Sequence, residues 1–387
     1  MNGTGNRERR YDEAILITNR ADNHSIHHML AEIHEGLLAI GIASHLCIVE
    51  PDGSDLGPFM ELVAKAGPRT FLIDLNGKMR FESTKKLKKF SFLTDHPYAL
   101  MEYILATPAD GVLGLVDRTH LGFLGAIGDR HRAVFFPHAG PDPEPDSLAM
   151  EDRDIEALFM GRLETSPSIG DLRDGLAASP EIVRRIVTAA AAAAAESVPL
   201  YDALLMACER HSVDAGDFGL DGLTTAIGAA SAWAEAHNRH KVLTSLGNVP
   251  VTLVGAVSDG FFERPPANIT FLGPRTFDEC QDLMRRSKLI VNSVTVFPDG
   301  SHERIWYGMA KGCAIATDFS HFVAEDFTAG ESILFWPEKG REISEMVAAA
   351  VADPDRLREM AAAAGSVYAA KHTWRKRVRI IDEVLNG

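Results

Sequence analysis

The sequence has few cysteines, and none of them stands in a metal-binding or disulfide pattern. The four are Cys47, Cys208, Cys280 and Cys313, and no two form a C-x-x-C pair. This spacing indicates neither a disulfide framework nor a structural zinc site. Cys47 and Cys313 lie in apolar runs, which is typical of small core side chains. We therefore expect a reducing compartment.

Long hydrophobic runs are also missing from the chain. Residues 1–10 are polar and charged and contain no apolar core of a signal peptide. The alanine-rich stretch 189–195 is too short and too weakly apolar to span a bilayer. The sequence therefore predicts a cytoplasmic protein without an integral membrane segment.

Positive charge is scarce, with 39 Lys and Arg against 54 Asp and Glu and a formal net charge of -15. Phosphate backbones bind basic faces, so the composition argues against nucleic acid as a partner. One basic exception is the segment 85–89, which has the sequence KKLKK. It indicates either a solvated turn before a strand or a docking patch.

The order of apolar segments indicates two α/β domains in a chain of 387 residues. In the first half, helical patterns separate predicted strands at residues 14–18, 45–49, 70–74, 89–93, 111–116 and 133–136. Strands that are apolar throughout and alternate with helices indicate a parallel sheet covered on both faces. The proline-rich residues 141–146 interrupt this alternation and predict a domain boundary.

A second alternation starts at residue 155 and contains a predicted helical region from about 171 to 245. Strands are predicted to resume at residues 251–255, 269–273, 289–292, 314–317 and 332–335. The fold class expected is therefore α/β, with two Rossmann-like domains facing a cleft and an α-helical insertion in the second domain. We expect domains at 1–145 and 146–370, followed by a C-terminal helix at 371–387.

The segment 299–312 is the most specific part of the sequence. It follows a predicted strand, opens as a loop and continues as a short helix. Such a helix start offers backbone N–H groups and a positive dipole to a diphosphate, and Arg304 adds a forked cation. Glu303 is a candidate acceptor for ribose or sugar hydroxyl groups. The alternative is that Ser301 only caps the helix, with Glu303 and Arg304 in solvent.

This segment resembles the donor-site signature of GT-B glycosyltransferases, and most closely that of the CgeB-like group. The matching positions are Gly300, His302, Arg304, Trp306, Ala310, Gly312, Thr317 and Asp318. The resemblance continues through Glu325, Phe327 and Gly330 to His372-Thr373-Trp374, and it includes residues 95–97, 117–120 and 137–140 of the first half. It covers most of the chain, but only weakly the helical region.

The resemblance implies a metal-independent transferase that moves a sugar from a nucleotide-sugar donor to a hydroxyl group. The acceptor is expected to be a glycan, a lipid-linked precursor, a protein or a small molecule, and no cofactor is expected. The donor would be bound by Arg162, Gly300, His302, Glu303, Arg304, Tyr307 and Asp318. The final helix is expected to pack back on the first domain, as in other GT-B enzymes.

One departure from the GT-B pattern concerns the sugar and ribose contacts. Many retaining members resemble each other in two glutamates eight residues apart, where this chain has Asp299 and Tyr307. The second glutamate normally contacts the ribose. Tyr307 would stack, hydrogen-bond or only pack in its place. Donor identity and stereochemistry therefore stay open.

The candidate catalytic residues of the first half follow predicted strands. They are Asp95, His96, Asp117 and His120, and His138 is in a similar position. An inverting transfer needs a general base near the acceptor hydroxyl, for which a carboxylate or a histidine is suitable. Asp95 and Asp117 are the preferred candidates, although both could instead cap turns.

No metal site is expected, although His24, His27, His28 and His34 are close in sequence. They lack a carboxylate partner set and are more typical of a helix surface. The basic residues between 371 and 379 are expected on a solvated helix face or between the domains. A monomer or small homo-oligomer is expected. Two other functions stay open: a nucleotide-sugar 2-epimerase and a non-catalytic GT-B-like binding module.

Overall fold

The computed structural model describes residues 9–20, 25–145, 147–337 and 340–387, and within them strands and helices alternate. The strands are β1 (Glu13–Asn19), β2 (Ala43–Val49), β3 (Thr70–Leu75), β4 (Lys88–Leu93), β5 (Val112–Leu115), β6 (Arg132–Phe135), β7 (Ile155–Met160), β8 (Val251–Val254), β9 (Ile269–Gly273), β10 (Ser287–Val291), β11 (Ala314–Thr317) and β12 (Leu334–Phe335). The helices are α1 (Ser25–Ala39), α2 (Gly57–Lys65), α3 (Met101–Leu105), α4 (His120–Ala126), α5 (Ile169–Gly175), α6 (Glu181–Ala195), α7 (Leu200–Arg210), α8 (Gly219–Thr244), α9 (Phe277–Arg285), α10 (Glu303–Ala310), α11 (His321–Ala324), α12 (Gly340–Val351), α13 (Pro354–Lys371) and α14 (Trp374–Asn386).

The internal contacts divide the chain into two compact units. The first unit consists of the described residues up to Val116 together with Asp129–Asp142 and Ala370–Gly387. The second consists of Asp117–Gly128 and Pro143–Ala369. Helix α4 is therefore part of the second unit although β5 and β6, which flank it in sequence, are part of the first. Helix α14 is part of the first unit.

The first unit is built on a parallel sheet in the order β2-β1-β3-β4-β5-β6. Strand β3 is buried along its whole length, as expected for a sheet covered on both faces. On one side Ile15, Ile17 and Leu72 pack with Phe59 and Val63 of α2. The predicted α/β class with buried parallel strands is confirmed.

The second unit contains a parallel sheet in the order β12-β11-β10-β7-β8-β9. The chain order reverses between β7 and β10, which are neighbours in the sheet. In open α/β sheets the crevice at the carboxyl ends of such a strand pair is the usual ligand site. Here the loops that start at Gly161 and Asn292 leave this pair of strands.

The predicted helical region of the second unit is four helices, α5 to α8, and not one continuous helix. Pro180 and Pro199 stand directly before α6 and α7, because proline is tolerated at a helix start and not within a helix. Gly219, the first residue of α8, has a φ of 61°. Within the described residues, no helix is long and apolar enough to cross a membrane.

Several surface expectations need correction in the structure. The basic segment is not simply a solvated turn, because Lys89 is buried and forms an ion pair of 2.9 Å with Asp74. Arg377 of α14 is buried too and contacts the carbonyl oxygen of His138 at 3.5 Å, within the first unit. All four cysteines are free thiols, and Cys47 is only half-buried.

Candidate active site

The loop between β10 and α10 ends at His302, which is the residue that precedes the helix. His302 Nε2 lies 3.0 Å from the Arg304 guanidinium, and arginine has no acceptor, so Nε2 must accept. The ring proton is then on Nδ1, which donates to Glu303 Oε2 at 2.7 Å. A protonated Nδ1 does not accept from the Arg304 N–H, 3.4 Å away. The first turn of α10 is therefore only weakly capped by this side chain.

Ser301 does not cap this helix, so the alternative that assigned it that role is wrong. Its hydroxyl oxygen accepts a hydrogen bond of 2.9 Å from the indole N–H of Trp306. Trp306 is fully buried and stacks on Tyr368 with ring centroids 6.3 Å apart. These contacts anchor α10 to the core beneath the loop.

The Arg304 guanidinium is held between two acceptors at the carboxyl end of β10. It donates to Asn292 Oδ1 at 3.0 Å and to His302. Asn292 in turn donates to the Thr317 hydroxyl at 2.8 Å, at the end of β11. Burial lowers the pKa of Arg304 to about 10, so the group stays charged at neutral pH. A partly dehydrated cation at this position is suited to bind an anion.

Asp318 follows β11 directly and holds the neighbouring loop. Its Oδ2 accepts a hydrogen bond of 2.5 Å from the backbone N–H of Val294. Burial raises the pKa of Asp318 to about 6. The structure therefore brings Asp318 to the same strand-end region as Asn292 and Arg304, as the resemblance implied.

Asp117 is fully buried and binds the loop that precedes α10. One carboxylate oxygen accepts from the backbone N–H of Thr119 at 2.8 Å and also from its hydroxyl group. The other accepts from the backbone N–H of Asp299 at 2.8 Å, and Asp117 forms an antiparallel bridge with Gly300. Burial raises the pKa of Asp117 to about 6. Both oxygens are therefore engaged in fixing backbone.

Arg118 connects the same loop to the residues after α11. Its guanidinium lies 3.0 Å from Asp299 Oδ1 and 2.6 Å from Glu325 Oε1. It also lies over the ring of Phe322, 5.6 Å from the centroid. Sequence reasoning did not single out Arg118, although it is adjacent to Asp117. The charge of the Asp299 carboxylate, which stands at the position of the first glutamate of the retaining GT-B pattern, is thus compensated by Arg118 within the second unit.

Three other predicted residues support the site from inside. His120 is fully buried, with its ring 5.9 Å from that of Phe297. Tyr307 is buried edge-on against Phe277, with centroids 5.6 Å apart. The carbonyl oxygen of Gly300 accepts from the Ser320 hydroxyl at 2.6 Å.

Arg162 and Arg239 meet at the end of β7. The Arg162 side chain is exposed, and its carbonyl oxygen accepts from Arg239 Nη1 at 3.0 Å. Arg239 belongs to α8 and also donates to the carbonyl oxygen of Ser293, at 3.4 Å. Sequence reasoning missed Arg239, because a lone arginine on a long helix gives no signal of its own.

The candidates before Val116 lie in the first unit. Asp95 is exposed after β4, and its Oδ2 accepts from Asn76 Nδ2 at 3.5 Å. His96 is buried, and its Nδ1 accepts from the backbone N–H of Tyr98 at 3.2 Å. Burial lowers the pKa of His96 to about 3, so the ring is neutral at physiological pH. His138 is buried with its ring 5.7 Å from Phe92.

Among the described residues, histidine and acidic side chains do not form an evident metal site. No group of three or more His, Cys, Asp or Glu placed to hold a metal ion occurs among the residues that the structure describes. In the histidine cluster, the rings of His27 and His28 are 4.5 Å apart, and His34 Nδ1 lies 2.8 Å from the Ser44 hydroxyl. His24 is outside the described residues.

Comparisons with known proteins agree with this architecture. Residues 236–383 match a family model described as glycosyl transferase-like. A search of curated protein sequences finds no significant match to the chain. The fold is similar to that of HepE from Anabaena, solved with UDP and glucose, with 11% identity, a TM-score of 0.50 and coverage of 97% of this chain and 99% of HepE.

Two further solved structures show the same fold along the whole chain. Sucrose-phosphate synthase from Thermosynechococcus elongatus is 10% identical with a TM-score of 0.51, and the match covers 96% of this chain and 98% of that one. A glycosyltransferase from Rickettsia africae is 10% identical with a TM-score of 0.51, covering 97% and 98%. The chain therefore has the GT-B fold, and its residues 236–383 are similar to the glycosyl transferase-like family.

Proposed function

We propose that this protein is a glycosyltransferase that transfers a sugar from a nucleotide-sugar donor to a hydroxyl acceptor without a metal ion. The observation that carries the proposal is the partly buried Arg304 guanidinium at the start of α10, held by Asn292 and His302. It lies within the part of the chain that matches the glycosyl transferase-like family. The solved HepE structure, which shares the fold, contains UDP and glucose.

In this proposal the donor diphosphate binds at the β7–β10 switch point. Arg304 and the weakly capped first turn of α10 stabilise the negative charge that develops on the leaving diphosphate. The exposed Arg162 follows β7 and adds a second cation from that loop. These groups would do the work that a divalent cation does in metal-dependent transferases.

Asp117 is assigned a positioning role in this proposal. Its two oxygens hold the backbone of Thr119 and Asp299, and the ion pairs of Arg118 fix Asp299 itself. Asp95, whose side chain is exposed after β4, stays the preferred general base among the predicted residues. His96 is a neutral, buried turn residue whose Nδ1 accepts from the backbone N–H of Tyr98.

The test measures binding of UDP, GDP, TDP and CMP by calorimetry, with and without EDTA, and hydrolysis of the matching nucleotide sugars. One nucleotide is expected to bind equally well in EDTA. Arg304→Ala should weaken its binding about 10- to 100-fold, because charge-assisted hydrogen bonds to phosphate contribute roughly 1.5–3 kcal/mol. Arg304→Lys keeps the charge without the fork and should recover part of the affinity.

Arg358→Ala serves as the matched control, because Arg358 is exposed on α13 and pairs with Asp355. It should bind nucleotide like the wild type. Absence of binding with every nucleotide would refute the donor site, and loss of binding in EDTA would refute metal independence. Binding without sugar release would indicate the non-catalytic module, while an isomerised sugar nucleotide formed without acceptor would indicate the 2-epimerase.

A further inference from the structure

Arg239 joins the two loops that leave the switch-point strands of the second unit. Its Nη1 donates to the carbonyl oxygen of Arg162 after β7, and its Nε donates to that of Ser293 after β10. Ser293 is next in sequence to Asn292, which binds the Arg304 guanidinium. Two guanidinium groups are thus attached to consecutive residues of one loop.

The Arg239 side chain is nearly buried, with 13% of its surface exposed, and it forms an ion pair with Glu235. Its Nη2 lies 2.8 Å from Glu235 Oε2, one helical turn earlier on α8. A guanidinium carries five N–H donors, and the contacts to Arg162, Ser293 and Glu235 use three of them. Donor capacity on both terminal nitrogens is therefore left for a ligand.

The charge around Arg239 also favours an anion. Burial is the main cause of both pKa shifts, but the positive charge of Arg239 adds to the lowering of the Arg304 pKa and opposes the rise of the Asp318 pKa. The charge of Arg239 therefore acts on both groups at the strand ends. Two cations that repel each other in a partly dehydrated crevice are both stabilised when a dianionic group lies between them. Glu235 provides part of this compensation before a ligand binds.

We propose that Arg239 supplies a further guanidinium to the donor diphosphate, beside those of Arg304 and Arg162, and that Glu235 is the internal carboxylate which the diphosphate displaces from it. This inference rests on the proposed function, because it assigns a further contact within the same donor site. Arg239 would at the same time keep the loops after β7 and β10 at a fixed separation. Glu235 acts as a competitor, so it sets how tightly the donor and the nucleotide product are held.

If Glu235 competes with the diphosphate for Arg239, substitutions of Glu235 and of Arg239 should change the UDP affinity in opposite directions. Glu235→Gln keeps the side-chain shape but removes the competing charge, and it should tighten UDP binding about three- to tenfold. Arg239→Ala should weaken UDP binding at least about tenfold, and Arg239→Lys should fall between it and the wild type. In the Arg239→Ala background, Glu235→Gln should no longer tighten binding.

The experiment is calorimetric titration of UDP, or of whichever nucleotide binds the wild type best, into these variants at two salt concentrations. Glu345→Gln is the matched control, because Glu345 forms the same kind of i, i+4 pair with Arg341 on exposed α12. It should leave the affinity unchanged. Glu235→Gln also keeps the test valid if Arg239→Ala folds poorly, which a thermal melt would show.

The outcomes separate this inference from the proposed function. If the wild type binds nucleotide and Arg304→Ala abolishes binding, but Glu235→Gln binds no more tightly than the wild type, the displacement role is overturned and the donor site stands. A purely structural clamp would give that result, since loosening the clamp weakens binding. If the wild type binds none of the nucleotides, both proposals fail together.

Discussion

Two carboxyl groups of the second unit, Asp117 and Asp318, are held where water is scarce, and burial raises the pKa of each to about 6. The usual value for aspartate is about 3.9. A raised pKa in the folded state means that the folded protein binds the proton more tightly than the unfolded chain. The associated stability is complete below about pH 4 and is lost as the pH rises through about 6.

Asp117→Asn is expected to flatten this pH dependence. The wild type should lose up to about 3 kcal/mol of folding free energy from this group between about pH 4 and pH 7. The variant lacks the titration but loses one acceptor for backbone N–H, so it starts about 1 kcal/mol less stable. Its destabilisation relative to the wild type should therefore shrink as the pH rises. Urea denaturation at pH 4.5, 6 and 7.5 measures this difference.

The control for this prediction is Glu359→Gln, which removes an exposed carboxylate of α13. Its effect on the free energy of unfolding should be small at all three pH values. A destabilisation by Asp117→Asn that stays constant or grows toward pH 7.5 would contradict the raised pKa of Asp117.

At the scale of single residues, the motif around Arg304 predicted a binding side chain, and the structure gives that side chain its partners. Asn292 and His302 bind Arg304 through contacts that no spacing rule specifies, since Asn292 is twelve residues away. Arg239 is still further from Arg304 in sequence. Arg118 is adjacent to Asp117, but sequence reasoning did not single it out. Local sequence identifies the group that carries charge, while its partners come from elements that only the folded sheet brings together.

Helix α10 is the element on which the proposed donor site depends, and it lies close to the sheet because Gly308 has no side chain. A Cβ atom added at Gly308 would lie 2.8 Å from Ile290 of β10 and 2.9 Å from Ile315 of β11. These distances are below any normal contact, and both neighbours are fully buried. Gly312, two residues after the end of α10, has a φ of 69°, a left-handed conformation that terminates the helix.

Gly308→Ala is expected to destabilise the protein and weaken nucleotide binding. Overpacking costs about 1–3 kcal/mol, which outweighs the gain of about 1 kcal/mol in helix propensity. Displacing α10 from the sheet would also move Arg304 away from Asn292. Thermal melting and nucleotide titration of the variant measure both effects.

Gly365→Ala offers the reverse case, because Gly365 is in helix α13 and no atom lies near its added Cβ. This variant should be stabilised by about 0.5–1 kcal/mol and should bind nucleotide normally. If both alanine variants changed stability in the same direction, the close packing of α10 on β10 and β11 would not be the cause.

The strands and helices were easier to predict than the residues at which one element ends and the next begins. The apolar runs identified the strands of both sheets to within about two residues, and β12 is the shortest of them, with only Leu334–Phe335. The alanine-rich region was correctly predicted as helical. Pro180 and Pro199 stand at two of the three divisions between its four helices, and Gly219, with a φ of 61°, starts the last helix. The terminal position of β12 in its sheet explains its short pairing with β11.

At the scale of the whole molecule, the end of the chain completes the first unit. Helix α14 buries Trp374, Val378, Ile381 and Leu385. Trp374 packs 5.8 Å from the ring of Phe92, and a Cβ atom at Gly36 of α1 would lie 3.0 Å from Val378. The core of the first unit is therefore completed by α14, which is far in sequence from the preceding segment of this unit, Asp129–Asp142.

Deleting residues 370–387 is expected to loosen the first unit selectively. Peptides from α1 and β4 should exchange amide hydrogen at least about tenfold faster, because their buried surface loses its cover. Peptides from β10 and α10 in the second unit should keep most of their protection. Hydrogen exchange followed by mass spectrometry compares the two sets within one sample.

Lys376→Ala is the control for the deletion, since Lys376 is exposed on α14. It should leave exchange unchanged in both units. Equal loss of protection in both units after the deletion would show that α14 supports more than the unit in which its contacts place it.

The sequence by itself determined the α/β class, the alternation of buried strands and helices, and the motif around Arg304 on which the proposed donor site rests, because these depend on local periodicity and on residue types at short spacing. The tertiary structure decided the strand order of each sheet, the placement of Asp117 and α4 in the second unit, and the meeting of Arg239 with the loops after β7 and β10. Hydrogen bonds and ion pairs between distant residues depend on how the strands are ordered, and the sequence does not encode that order in any local pattern.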